Sequence, residues 1–311
     1  MHSPRASVIL PTRDRCSMLK QALGSVLDQE DVDLEAIVID EGSSDETPAE
    51  LARIEDRRLV VIRHDQPRGV AGARNVAIDA AQGEWIAFLD DDDVLSPGNF
   101  RTQLARADSD RVVLLYSGRL EVDEALSPLH LTPARDPEGL ARRMLSGNLV
   151  GPPSGVLVRA DALDRVGGFD ESFSALADWD LWIRVAAVGS AAISPEPLLA
   201  YRRHAGSMTV ARADEVLGEF ERLRQKHRKA AEAAGIEFGE NFVGPWLAGR
   251  DLAKGRRLRA ARAYARLAVA EHEPRDVFRA LAALGGKRIE RLGRSVESRV
   301  TPRPEWLQRY V

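Results

Sequence analysis

Apolar residues in this chain arrive in short blocks separated by stretches of helical spacing. Residues 7–11, Ser7-Val8-Ile9-Leu10-Pro11, read as a short buried strand stopped at Pro11-Thr12. Met18, Leu19, Ala22, Leu23, Val26 and Leu27 then recur at the spacing of one helical face. The cycle repeats. A second block, residues 34–39, ends in Asp40-Glu41-Gly42-Ser43-Ser44-Asp45, turn formers and carboxylates that open a helix near Thr47-Pro48. Residues 59–62 form a third strand, followed by Arg68-Gly69-Val70-Ala71-Gly72-Ala73-Arg74-Asn75 and a helix to about Gln82. The fourth, residues 84–89, runs into Asp90, Asp91, Asp92 and Asp93, after which Ser96 and Pro97 carry the signals of an N-cap and first helical residue for a helix over 97–107.

Residues 111–116 read as a fifth strand, residues 126–135 as loop, and residues 156–158 as another strand before a short helix from Asp161. A turn at Gly167-Gly168-Phe169-Asp170-Glu171 leads to a helix in which Leu181, Trp182, Val185 and Val188 share a face. Asp178 falls in its first turn, where the helix dipole favours a charged carboxylate. Strands alternating with helices predict an α/β fold with a mostly parallel, doubly wound central sheet flanked by helices. The strand ends carry Thr12, Asp40, the acid run and, soon after the third strand, Arg74. Polar groups gathered at carboxyl ends of strands suit a nucleotide pocket.

Four adjacent carboxylates beside an apolar core repel one another unless water or a cation takes up the charge. A hard divalent ion is the simplest solution, and a solvated acidic turn is the ordinary alternative. The single cysteine, Cys16, excludes an intrachain disulfide and any cysteine-cluster metal site. A net charge of -4, with no aromatic-interleaved basic groove, argues against nucleic acid as a partner. No P-loop or strand-embedded GxGxxG is present, which argues against ATPases and NAD enzymes.

Beyond residue 210 the composition shifts to charged, alanine-rich helix, over 211–234 and again from Trp246 onward. From Trp246 to Val311 there are 16 Lys and Arg against 7 Asp and Glu, a balance of +9, whereas the preceding residues hold 28 against 41. Such a tail is either attracted to an anionic surface or simply a solvated helical face. Residues 1–6 lead into the first strand without the apolar stretch of a secretory signal, and no later run reaches the roughly 18 apolar residues of a membrane span. The expectation is a cytoplasmic protein with peripheral contact at the inner membrane face through the basic tail.

The motifs taken together resemble those of the family 2 glycosyltransferases, inverting enzymes of the GT-A fold. Ser7-Val8-Ile9-Leu10-Pro11-Thr12, Ile39-Asp40-Glu41-Gly42-Ser43-Ser44-Asp45, Gly72-Ala73-Arg74-Asn75 and Phe88-Leu89-Asp90-Asp91-Asp92-Asp93 are similar to its donor-side motifs, in order. Gly167-Gly168-Phe169-Asp170-Glu171, Asp178-Trp179-Asp180-Leu181-Trp182-Ile183-Arg184 and Tyr201-Arg202-Arg203-His204 resemble its acceptor-side and closing segments. The resemblance covers roughly residues 5–210. It implies a transferase domain over 1–210, with a donor half to about 95 and an acceptor half from about 96, and a helical C-terminal extension over 211–311.

By that resemblance, Pro11, Thr12 and Asp40 line the nucleoside pocket and Arg74 reaches the base or phosphates. Asp90 holds the ribose or the metal's water shell, Asp91 lies with it in the donor site, Asp92 ligates Mn2+ or Mg2+, and His204 completes the metal shell. Asp178 is the catalytic base and Asp180 its runner-up. The sequence departs from the family's pattern at Ala177, where Glu often stands, at Glu41 and at Arg13-Asp14. The implied reaction moves a sugar from a nucleotide donor, UDP-linked, to a hydroxyl of a saccharide or lipid-linked acceptor. Two other readings compete. One is a degenerate, non-catalytic nucleotide-sugar-binding or scaffold protein. The other is a haloacid-dehalogenase-like phosphatase, whose DxDx[TV] pattern fits Asp90 to Val94 but belongs after a first strand rather than a fourth.

Overall fold

The computed structural model describes residues 4–204, 213–239, 251, 255–271, 280, 284 and 303–311. Strands β1 (Ala6–Thr12), β2 (Leu34–Asp40), β3 (Leu59–Arg63) and β4 (Trp85–Phe88) form a parallel block in the order β3-β2-β1-β4. Helices α1 (Cys16–Leu27), α2 (Thr47–Leu51) and α3 (Gly69–Ala80) connect them. The sheet continues through β8 (Leu157–Arg159), β6 (Val112–Val122), β9 (Ser190–Arg202) and β5 (Val94–Leu95), with β7 (Pro128–Thr132) paired to β6. β8, β5 and β7 run antiparallel to their neighbours, so the mostly parallel sheet becomes mixed beyond β4.

Period-two alternation sends side chains of one strand into two different cores. Ile9, Ile37, Ile39, Ile86 and Phe88 face a cluster with α3, α6 (Ala160–Val166) and α7 (Ala177–Ala186). Val8, Leu10, Ala36, Val38 and Ala87 face another that takes in α1 and Phe100 of α4 (Asn99–Leu104). Covering on both faces explains why these strands read as continuous apolar runs. β3 lies at the sheet edge, and Val60 and Val61 are exposed there.

Several sequence expectations shift. The 126–135 loop contains β7, because β6 extends to Val122 and offers it a partner. Ser96 does not cap a helix: Val94 and Leu95 pair with Leu199 and Ala200 of β9, and α4 begins only at Asn99. Val188 is exposed because α7 ends at Ala186.

The boundary expected at residue 210 cuts off a helix that completes the main core. Val216, Phe220, Leu223 and Ala231 of α8 (Ala213–Ala234) are buried in the same cluster as Trp179. Most of the expected 246–311 helical tail falls outside the described residues, apart from α9 (Arg257–Glu271) and a closing 3-10 turn, Glu305–Tyr310. That turn packs back on the sheet end: Leu307 is fully buried with Val94, Leu120 and Ala200, and Gln21 donates to the Tyr310 carbonyl at 2.8 Å.

Candidate active site

A cleft of about 470 Å³ opens at the carboxyl ends of β1, β2 and β4. Pro11 and Thr12 end β1 on its wall, Arg74 enters from α3, and Asp90, Asp91 and Asp92 follow β4. Asp178 faces the same space from the first turn of α7, beside Ser174 and Ala175. The tertiary fold thus joins residues as distant in the chain as Pro11 and Asp178. Asp40 lies behind this wall, buried, with one oxygen accepting from the Ser43 N–H at 2.8 Å and the other paired to Arg63. Its neighbour Glu41 lines the cleft instead and accepts from the N–H groups of Arg68 (2.7 Å) and Gly69 (2.9 Å) at the start of α3.

The four acids point in different directions. Asp90 pairs with Arg74, whose guanidinium also lies over the Phe169 ring, 5.3 Å from its centroid. Asp91 turns inward to accept from Thr12 Oγ1 at 2.8 Å and Arg15 at 3.0 Å, and burial pushes its carboxyl up to about 6. Asp92 meets Arg15 at 3.0 Å and His204 Nε2 at 2.8 Å. Asp93 is wholly buried, accepting from the Arg202 N–H at 2.8 Å. Burial, then the charges of Asp92 and Asp90, raise Asp93 well above the usual carboxylate range, with Ser154 and the Arg202 N–H opposing, and its second oxygen makes no well-formed hydrogen bond among the described residues.

Carboxylate oxygens of Asp90, Asp92 and Asp93 lie within 4.8 Å of one another. Three hard oxygen donors, one from an aspartate whose buried second oxygen lacks a hydrogen bond among the described residues, fit the chemistry of a divalent cation such as Mn2+ or Mg2+. His204 stands against Asp92 at the rim of this cluster.

Asp178 and Asp180 sit on the same helix turn and differ completely. Asp178 is half-buried; its carboxylate accepts from the Trp179 N–H at 2.7 Å and lies 3.5 Å from Asn148 Nδ2. Burial raises it to about 7, the Trp179 bond and the Arg74 charge opposing, and Asp90 adding to the rise. Asp180 is fully buried and bonded to Arg184 (2.7 Å), Lys226 (2.8 Å) and His227 (2.8 Å). Burial opposes its ionisation, but these partners hold its carboxyl below the ordinary value. The runner-up base is therefore a structural anchor for α8. Asp180→Ala is expected to destabilise the fold by about 3 kcal/mol, since it removes a fully buried carboxylate that ties Arg184 and Lys226 to buried His227. Because the folded value is depressed, Asp180's contribution is full at neutral pH and lost as pH falls below about 4. Chemical denaturation of the variant at pH 7 and pH 3 checks both.

Three positioning contacts emerge from the fold, and only the third uses a residue, Asn75, that a sequence motif had marked. Arg15, in the turn after β1, neutralises Asp91 and Asp92. Glu219 of α8 accepts from the N–H groups of Ser174 (2.9 Å), Ala175 (2.9 Å) and Leu176 (3.0 Å), which lead into α7 and Asp178. Asn75 bonds the Phe169 N–H (2.8 Å) and carbonyl (2.9 Å), tying the Ala-Arg-Asn segment to the Gly-Gly-Phe turn. At that turn Gly168 has φ +68°, and an added Cβ would meet Asn75 Oδ1 at 2.8 Å, so only glycine fits.

Comparison with known proteins agrees with this architecture. The family model for glycosyl transferase family 2 matches residues 7–167, and one for glycosyltransferase like family 2 matches residues 141–237. The chain is similar to the succinoglycan biosynthesis protein ExoO of Rhizobium meliloti, 41% identical over 34% of this chain and 30% of that protein. It is also similar to the Escherichia coli UDP-Glc:alpha-D-GlcNAc-diphosphoundecaprenol beta-1,3-glucosyltransferase WfaP, 26% identical over 72% of this chain and 87% of the relative. Among solved structures, S. aureus TarS 1-349 in complex with UDP-GlcNAc superposes with a TM-score of 0.60 at 16% identity, over 95% of this chain and 88% of that one. The mannosyltransferase PcManGT from Pyrobaculum calidifontis in complex with GDP-Man and Mn2+ gives 0.55 at 18%, over 100% and 86%. These likenesses bear out the GT-A architecture expected from the motifs and leave no room for a haloacid-dehalogenase fold. Since the family model spans half of the sequence and the site lies where the parallel strands end, the chain belongs to glycosyl transferase family 2.

Proposed function

We propose that the protein is a metal-dependent inverting glycosyltransferase that moves a sugar from a UDP-linked donor to a hydroxyl of a lipid-linked saccharide acceptor. The observation that carries this reading is Asp178, a carboxylate raised to about 7 in the cleft that also holds the acid run. A general base is most effective with a pKa near the working pH. In this reading Asp178 takes the proton of the attacking acceptor hydroxyl onto a carboxylate oxygen, on the face opposite the leaving group, as direct displacement requires. Pro11, Thr12 and Glu41 bound the nucleoside end, with Asp40 fixing the strand end behind them. Arg15 and Arg74 are placed to meet the donor phosphates once released from their acids. A divalent cation held by Asp90, Asp92, Asp93 and His204 would neutralise charge developing on the leaving nucleoside diphosphate.

The relatives support the substrate class. WfaP is named for a UDP-glucose donor and a diphosphoundecaprenol-linked acceptor, and a Campylobacter jejuni relative for glucosyl transfer onto an undecaprenol-linked saccharide. Calorimetric titration with UDP and GDP, each with and without Mn2+, tests the donor assignment. Metal-dependent UDP binding is expected; binding of neither nucleotide would favour a degenerate, non-catalytic protein, the reading that Ala177 invites.

No helix among the described residues is long and apolar enough to cross a membrane. We assign the basic tail the task of holding the enzyme at an anionic membrane face, each cation near the surface adding about 1 kcal/mol. Cosedimentation with phosphatidylglycerol vesicles at low ionic strength, lost at about 0.5 M salt, is the expected result. Failure to bind at low salt would remove the assignment.

A further inference from the structure

A second group of charges lies across the Gly151 loop from Asp178, and the reaction described so far does not use it. Arg119 and Glu121 on β6 face Thr132 and His130 on β7 and Leu199 and Tyr201 on β9, so Arg119, Glu121, His130 and Tyr201 share one face of the sheet. Arg203 follows β9 on the same side. Arg119 is three-quarters buried, yet donates no hydrogen bond to any described residue, and its Nε is buried without a partner. Among the described residues its one ion pair is with Glu121, at 4.0 Å, and Arg203 reaches the same carboxylate at 3.8 Å. One carboxylate therefore serves two guanidinium groups, neither within hydrogen-bond distance.

The surroundings hold this guanidinium in place rather than satisfy it. Its Cζ lies 5.9 Å from the ring centroid of Tyr201, and Tyr201 lines the cleft. Gly151, at φ +96°, stands so close that a Cβ there would meet Arg119 Nη1 at 2.7 Å. The Gly151 carbonyl accepts from Trp182 Nε1 (3.1 Å) and Asn148 Nδ2 (3.2 Å), and Asn148 reaches Asp178. Burial pushes the Arg119 guanidinium below its ordinary value, the cost of holding a cation with too few partners. A planar fork whose N–H groups have no hydrogen-bond partner among the described residues, packed against a tyrosine that lines the cleft, suits a phosphate oxygen pair. The donor end has its own cations, Arg15 and Arg74, which pair with the acid run.

We propose that Arg119, with Arg203, forms a subsite for a phosphate group of the acceptor, so that the acceptor sugar is presented to Asp178 on a lipid diphosphate. This rests on the glycosyltransferase reading and extends it to the acceptor. The test is calorimetric titration of the full chain with farnesyl diphosphate, farnesol and inorganic pyrophosphate, each in saturating UDP and Mn2+ so that the donor site is filled. Wild type is expected to bind farnesyl diphosphate and not farnesol, with affinity falling at least about tenfold in Arg119→Gln and less in Arg203→Gln. The Arg119→Gln melting temperature should match or exceed wild type, because no hydrogen bond is lost; a structural arginine would lower it. Pyrophosphate binding as tightly as farnesyl diphosphate, with the same loss in Arg119→Gln, would support the subsite and overturn the lipid. Equal farnesyl diphosphate affinity in wild type and Arg119→Gln, or none in wild type, would overturn the subsite while UDP binding stood. Absent UDP binding in wild type would instead sink the underlying reading.

Discussion

Asp178→Asn is expected to lower sugar transfer by roughly 10²–10⁴-fold, the usual worth of a positioned general base, with UDP affinity little changed. Asparagine keeps the shape and can still accept from the Trp179 N–H, but it cannot take up the acceptor's proton. The pH dependence has a definite sign. The carboxylate is active only when ionised and its value is about 7, so kcat/KM should fall about tenfold per pH unit below that point and level off above it. Stability should run the opposite way. The unfolded chain ionises this group near 4, so the folded state holds an extra proton between about pH 4 and 7, and the stability it adds is lost as pH rises through that window. Above pH 7 the Asn variant should therefore melt higher than wild type while being nearly inactive. A variant that retained most of its activity, or a rate profile flat from about pH 5.5 to 9, would remove Asp178 from the base role.

Asp92→Ala should abolish metal-dependent UDP binding, a loss on the order of 100-fold or more in affinity, and transfer with it. Asp92 is the acid that links the site's metal-binding groups: Asp90 and Asp93 complete the oxygen cluster with it, and His204 bonds to it. Calorimetry with UDP and Mn2+, together with thermal shift by Mn2+ alone, reads the two effects separately. The apo variant should fold normally, because removing one of four crowded charges offsets the lost contacts to Arg15 and His204. Equal Mn2+ stabilisation of wild type and variant would place any cation elsewhere. His204→Ala should weaken the metal effect less, as befits a group at the rim of the cluster.

What could be read in advance follows from the range of each physical signal. Period-two and helical spacing are local, so the βα units through β4, the stripe of α1 and the first-turn placement of Asp178 are legible from the residues. So is the concentration of Thr12 and the acid run at strand ends, because strand direction and the turn residues after each strand specify it. Pairings between distant segments leave no such trace. β5 and β7 are short and exist only because β9 and β6 lie beside them, and β9 itself, interrupted by Pro195 and Pro197, has no clean alternation. The same holds within the site. Asp178 and Asp180 are equivalent in the sequence, and only the approach of Lys226 and His227 from α8 makes one an anchor and leaves the other facing the cleft. Arg15, Glu219 and Arg119 are ordinary charged residues until the fold sets a carboxylate pair, three free N–H groups or an overcommitted glutamate beside them. The sequence by itself determined the elements, the acids at their ends and the chemistry those acids suit. Tertiary structure alone decided which charges are neutralised and which are left poised, because burial and the distance between charges fix that and neither is a local property of the chain.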